Sequence, residues 1–246
     1  ISQKIKVNGF LMSTKNSIVV TGGSGRFGAS LKKSNFFRRS NFPTKKQLDI
    51  LKVSSILNYL KKKKSKYVIH LAGLSRPMSE HNVDIEKSIK LNIIGTANMV
   101  ISCSKLNIKL IYFSTSYVYE GTKGDYKESD AVKPFNNYAL SKMGGECSVL
   151  MYNNSLVLRI SMTEKPFLYK KAFTNLKTNF LFHEDLVYML PKLIKKKGII
   201  NVGGKTQSVY DFAKKYNPGV KKIKASMKSK LPLNQSMNTS KLKNII

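Results

Sequence analysis

Val20-Thr21-Gly22-Gly23-Ser24-Gly25-Arg26-Phe27-Gly28 decides how this chain folds. The apolar run Ile18 to Thr21 reads as a strand leading into it, and Arg26 to Lys33 reads as a helix leaving it. In a strand, glycine-rich turn and helix taken together, missing side chains let backbone amides and the helix N-terminus approach a pyrophosphate. A glycine turn alone can be no more than a tight loop; its place between strand and helix makes it a dinucleotide site. Gly22, Gly25, Arg26, Phe27 and Gly28 are its candidate residues. Their glycine spacing differs from the Gly-x-Gly-x-x-Gly of the dehydrogenases.

Downstream, apolar runs at Tyr67 to Ala72, Ile108 to Ser114 and Leu156 to Ile160 read as further strands. Leu48 to Lys63, Ile85 to Leu106 and Tyr138 to Tyr152 read as helices, with apolar residues three and four apart. That βαβ order predicts a Rossmann-like, doubly wound parallel sheet. Phe36 and Phe37 are the only apolar core for a second strand, and Arg38-Arg39-Ser40-Asn41-Phe42-Pro43 ends it with turn chemistry. After Ile160 the regularity falls away, then returns as a helix over Asp185 to Lys195 and a strand over Gly198 to Val202. The expected organisation is an appendage or upstream extension at 1–11, a cofactor domain over 12–160 and a small substrate lobe over 161–246. Residues 185–203 of that lobe return to the main core.

Phe113-Ser114-Thr115-Ser116-Tyr117 closes one strand, and Tyr138-Ala139-Leu140-Ser141-Lys142 opens a helix. Tyr138 and Lys142, four apart, share a helix face. A nearby ammonium favours phenolate and is expected to lower the tyrosine's pKa from near 10. Thr115 would orient a substrate oxygen against the tyrosine. Taken alone, Tyr-x-x-x-Lys arises by chance in any lysine-rich helix; its position after the glycine turn gives it weight.

These residues resemble the extended short-chain dehydrogenases, and within them the dTDP-4-dehydrorhamnose reductase family, across nearly the whole chain. Gln47-Leu48-Asp49-Ile50, His70-Leu71-Ala72-Gly73, Asn92-Ile93-Ile94-Gly95-Thr96, Pro134 to Glu146 and Leu233 to Leu242 are similar to family stretches, the last being the most discriminating. Ala139 stands where the family usually has glycine, and Ser116 stands where it often has aspartate. The stretch from Ile160 to Asp185 is shorter than the family's. The resemblance implies NAD or NADP bound by the glycine turn, Asp49, Ile50, Ala72, Gly73, Leu74, Tyr138 and Lys142. Catalysis would fall to Thr115, Tyr138 and Lys142, with Ser116, Tyr117 and Asn234 toward substrate. The implied reaction is reduction of the C4 ketone of a nucleotide-linked 4-keto-6-deoxy sugar. Alternatives are a nucleotide-sugar 4-epimerase or a non-catalytic regulatory relative. Arg38 and Arg39 could pair with an NADP 2′-phosphate or remain solvated. Dehydration is disfavoured, since Ser116 and Tyr117 replace the Asp-Glu of sugar dehydratases.

The formal charge is +31, and only five of the 44 basic residues are arginine, at 26, 38, 39, 76 and 159. Lysine, asparagine and isoleucine enrichment is the pattern of AT-rich coding, so nucleic acid is not the expected partner; binding driven by charge would need steep salt dependence. No run approaches the roughly 18 apolar residues of a membrane span, and a cytoplasmic location is expected. Cys103 and Cys147 fit neither a disulfide framework nor a metal site, and His70, His81 and His183 are scattered, so no metal is expected. The sequence leaves a homodimer open. His183-Glu184-Asp185-Leu186 should start a helix with Asp185 as a cap.

Overall fold

A computed structural model describes residues 17–226 and 231–246, so the expected appendage at 1–11 lies outside the described residues. The chain runs β1 (Ile18–Thr21), α1 (Arg26–Lys33), α2 (Val53–Lys62), β2 (Tyr67–His70), α3 (Glu80–Val83) and α4 (Ile85–Ile89). A π-helical turn (Lys90–Ile94) leads into α5 (Gly95–Lys105), followed by β3 (Lys109–Thr115), a 3-10 turn (Ser116–Val118), α6 (Asn137–Leu150) and β4 (Ser155–Ile160). The last third holds β5 (Met162–Thr163), β6 (Lys171–Phe173), β7 (Lys177–Thr178), β8 (Leu181–Phe182), α7 (His183–Leu193) and β9 (Gly198–Val202). It closes with β10 (Gln207–Ser208), α8 (Val209–Lys214), β11 (Lys221–Ile223) and α9 (Ser240–Lys243).

Five parallel strands form the central sheet in the order β1-β2-β3-β4-β9. Strands buried on both faces read as continuous apolar runs, as Ile18-Val19-Val20 and Leu110-Ile111-Tyr112-Phe113 do. One face packs Phe27 and Leu31 of α1 with Leu186, Leu190 and Leu193 of α7. The other packs Ile56 and Leu60 of α2, Met99 and Cys103 of α5 and Val149 of α6. Helices on both faces of a parallel sheet make the doubly wound, Rossmann-like α/β fold. A separate apolar cluster, Phe167, Phe182, Val209, Phe212 and Val220, holds together the short paired strands of the last third.

The second strand expected at Phe36 and Phe37 does not form. Ser34 ends α1 by donating to the Leu31 carbonyl at 2.8 Å and accepting the Phe37 N–H at 3.0 Å. The chain then coils, with Arg38 N–H reaching the Ser34 carbonyl and Ser40 N–H the Phe37 carbonyl. Phe37 is buried, but as a plug in the core. Asn41 alone bridges Val19, bonding the Ile18 carbonyl and the Val20 N–H at 2.8 Å each. The helix expected from Leu48 starts later, at Val53, because Asp49 accepts the Leu51 N–H at 3.0 Å and holds a local turn.

Candidate active site

The glycine turn requires its glycines. Gly22 has φ +69°, and a Cβ there would lie 2.6 Å from the Ala72 nitrogen; one on Gly28 would lie 2.6 Å from the Gly22 carbonyl oxygen. Gly25 caps α1 without any side-chain hydrogen bond, so the first amides of the helix stay available to an anion. Arg26 is exposed and pairs with Glu164 at 2.9 Å, while Phe27 faces the core against Phe113. The open backbone cradle fits a dinucleotide pyrophosphate.

At the carboxyl end of β3, Thr115 is buried, its hydroxyl accepts the Tyr117 N–H at 3.2 Å, and its side chain lies close enough to the Tyr138 phenol to favour the phenolate. Asn136 starts α6 by accepting the Ala139 N–H at 2.8 Å, and this cap aims Tyr138 at the strand end. Lys142, one turn further along α6, lies with its ammonium 4.2 Å from the Tyr112 ring centre. Burial pushes Tyr138 up to about 12, partly offset by the neighbouring Thr115 side chain. Burial likewise pulls Lys142 down to about 7, against the opposing pull of Glu146. Lys142 is thus not among the groups that shift the phenol, and withdrawal from water, not the ammonium the spacing suggested, dominates its value.

Other groups to which the sequence assigned no role close around this pair. The His81 ring lies edge-on to Tyr138 at 5.2 Å between centroids, with its Nδ1 2.7 Å from the Ser88 hydroxyl. Asn92, on the π-helical turn, donates to Ser141 Oγ and to the Leu74 carbonyl at 2.8 Å each, tying α6 to the loop after β2. Burial raises the phenols of Tyr117 and Tyr138, and Arg76 offsets part of that rise; its guanidinium pairs with Glu164 at 3.6 Å and donates to Tyr169 at 3.2 Å. As one of only five arginines in a lysine-rich chain, Arg76 carried a signal that composition could have raised. Deeper in α6, buried Glu146 accepts two Arg159 bonds at 2.6 and 3.0 Å and the Ser114 hydroxyl at 2.5 Å.

The remaining expected residues divide. Ala72, Gly73 and Leu74 follow β2 beside the glycine turn, with Ala72 N–H on Thr21 Oγ1 at 3.2 Å and Leu74 N–H on Asn92 at 2.7 Å. Ile50 is buried against Gly95, and Asp49 is engaged in its turn. Arg38 and Arg39 are exposed on the coil that replaces the second strand. Tyr117 packs between Phe135 and Tyr138, whereas Ser116 is buried. Asn234 spends its amide on the Lys123 carbonyl and Ser236, pinning the 121–126 loop. His70 is held by Thr21 and Thr96 and lowered to about 3 by burial, a structural imidazole. Asp185 accepts the Phe182 N–H at 3.0 Å, the expected capping role. Among the described residues no group of His, Cys, Asp or Glu gathers as a metal site. No helix among them is long and apolar enough to cross a membrane.

Comparison with known proteins gives this geometry a family context. The profile described as "RmlD substrate binding domain" matches residues 16–182. Methionine adenosyltransferase 2 subunit beta of Pongo abelii is 29% identical over 154 residues, 58% of this chain and 46% of that protein. The chain thus spans about half the length of the curated relatives of this kind. GDP-6-deoxy-D-talose 4-dehydrogenase of Aggregatibacter actinomycetemcomitans is 29% identical over 204 residues, 79% of this chain and 65% of that protein. In three dimensions, a dTDP-4-dehydrorhamnose reductase from Bacillus anthracis in complex with NADP superposes with TM-score 0.81 at 22% identity, covering 92% of this chain and 90% of that one.

Proposed function

The chain belongs to the RmlD substrate binding domain family, and from that membership we propose that it reduces the C4 ketone of a nucleotide-linked 4-keto-6-deoxy sugar, using NADH or NADPH. One observation carries the reading: a phenol beside Thr115 at a strand end, with Lys142 one helical turn away, on the sheet whose first turn is an open glycine cradle. The nicotinamide cofactor, when bound, supplies the hydride. Tyr138 gives its proton to the oxygen of the reduced carbonyl, since a phenol held near 12 is fully protonated at neutral pH. Thr115 orients that oxygen, and Lys142 in its charged form compensates the phenolate left behind. Gly22, Gly25 and Gly28 would hold the pyrophosphate. Arg76 and Tyr117 flank the tyrosine where a sugar would enter. A relative named as a 4-dehydrogenase of a 6-deoxy sugar nucleotide supports position and substrate class.

A second reading has its own support. Relatives named as the beta subunit of methionine adenosyltransferase 2 make a regulatory, cofactor-binding role the alternative. Incubating purified protein with NADPH or NADH and a dTDP-, GDP- or UDP-linked 4-keto-6-deoxy sugar, and following loss of cofactor absorbance, separates the two. Turnover abolished by Tyr138→Phe establishes the reductase. Cofactor binding without turnover on any of the sugars favours the regulatory reading.

A further inference from the structure

The amino end of the sheet, opposite the glycine cradle, holds a buried cation with no counter-charge among the described residues. Neighbouring parallel strands are entered through Lys66 ahead of β2, Lys109 at the start of β3, Asn154 ahead of β4 and Lys197 ahead of β9. Their backbones are laced together there: the Lys66 carbonyl accepts the Lys109 N–H, and the Asn154 carbonyl the Leu110 N–H, at 3.1 Å each. A cavity of about 240 Å³ opens at this edge, lined by Lys66, Tyr67, Lys109, Asn154 and Lys195.

Lys109 is only 6% exposed, and its ammonium donates to the neutral Ser155 carbonyl at 3.0 Å. Buried charges are ordinarily paired, because leaving water costs several kcal/mol that a single neutral acceptor does not return. None of the five lining residues is an acid. No ion pair among the described residues includes Lys66, Lys109 or Lys197. The residues ahead of Ser17 contain neither Asp nor Glu. Burial, with Lys197 adding to it, draws the Lys109 ammonium down to about 8, the response of a cation whose surroundings hold no balancing charge.

We infer that this cavity is an anion site for a small phosphate-class ligand, with Lys109 as the internal ligand, Lys66 and Lys195 at its mouth, and Tyr67 and Asn154 as neutral polar lining. The site lies at the other end of the strands from the pyrophosphate cradle, so the two would be occupied independently.

Calorimetric titration with inorganic phosphate and with pyrophosphate, against sodium chloride at equal ionic strength, tests this on the intact chain. Lys109→Met should weaken saturable binding about tenfold or more, whereas a Lys61→Gln/Lys62→Gln control at the end of α2 should stay within about twofold. Methionine removes a buried charge and is expected to fold; Lys195→Gln, on the exposed rim, provides a second variant, expected to weaken binding by a smaller factor. Equal binding by wild type and Lys109→Met overturns the inference, because it places any anion at the glycine cradle. Equal losses in the α2 control overturn it too, by assigning the effect to the diffuse cationic field.

Discussion

Tyr138 and Lys142 assist each other less than their spacing implied, because withdrawal from water, and not their proximity, sets the ionisation of each. With the phenol near 12 and the lysine near 7, the resting pair at neutral pH is a protonated phenol beside a half-protonated amine. If the reductase reading holds, Tyr138→Phe should lower turnover by about 10²–10⁴-fold, the usual range for a positioned proton donor, with cofactor affinity little changed. Stability carries a second signature. The folded value of Lys142 lies below its unfolded value of about 10.4, so between about pH 7 and 10 the unfolded chain binds more protons and stability rises with pH. Below pH 7 the lysine is charged in both states and the full burial penalty applies. Urea unfolding from pH 6 to 10 should therefore give a shallower rise for Lys142→Met than for wild type. Lys109, held at about 8, keeps part of the slope in both proteins. Parallel curves would show that Lys142 is solvated after all.

At the scale of elements, what the sequence revealed depended on whether local chemistry and tertiary packing agreed. β1, the turn and α1 were legible because an apolar run, three glycines and an amphipathic octad all point the same way, and the structure places β1 and α1 at the expected residues. The second strand was not, because Phe36 and Phe37 look the same as core plugs and as a strand; Ser34 and the coil behind it decide. Within α6 the Tyr138 and Lys142 pairing was visible as an i, i+4 step, but the Tyr112 ring under the lysine and the histidine beside the tyrosine come from elements distant in sequence. Gly22→Ala tests the turn: an L-residue at φ +69° with its Cβ 2.6 Å from backbone should cost about 2 kcal/mol or more and weaken dinucleotide binding, measurable by denaturant unfolding and titration. Glu146→Gln tests α6 at its buried end. It leaves the Arg159 guanidinium without its carboxylate, and the expected loss is about 3–5 kcal/mol in the same unfolding assay. A loss below about 1 kcal/mol would mean that Tyr119 and the Glu128 carbonyl suffice for the arginine.

Over the whole molecule the dominant force left unbalanced is charge. A chain with 44 basic and 13 acidic side chains carries +31, and most of its ion pairs are surface contacts of little individual worth. The fold tolerates this because the described lysines sit mainly on exposed helix faces and turns, while the sheet and its two apolar faces exclude them apart from Lys109 and the Lys142 ammonium over Tyr112. Self-repulsion of that size favours the expanded chain, and salt relieves it. The screening length falls from about 30 Å at 0.01 M to about 10 Å at 0.1 M, so most of the relief should come at low ionic strength. Raising sodium chloride from about 10 to 300 mM should therefore raise Tm by several degrees, each kcal/mol being worth about 2–4 °C for a chain of this size. Chloride is the salt to use, since phosphate would add occupancy at Lys109 to the screening. A Tm that stays flat would show that the lysines are spread widely enough for water alone to screen them. The same titration separates this bland account of the charge from a nucleic-acid role, because polyanion binding would weaken steeply over the range in which the fold itself grows firmer.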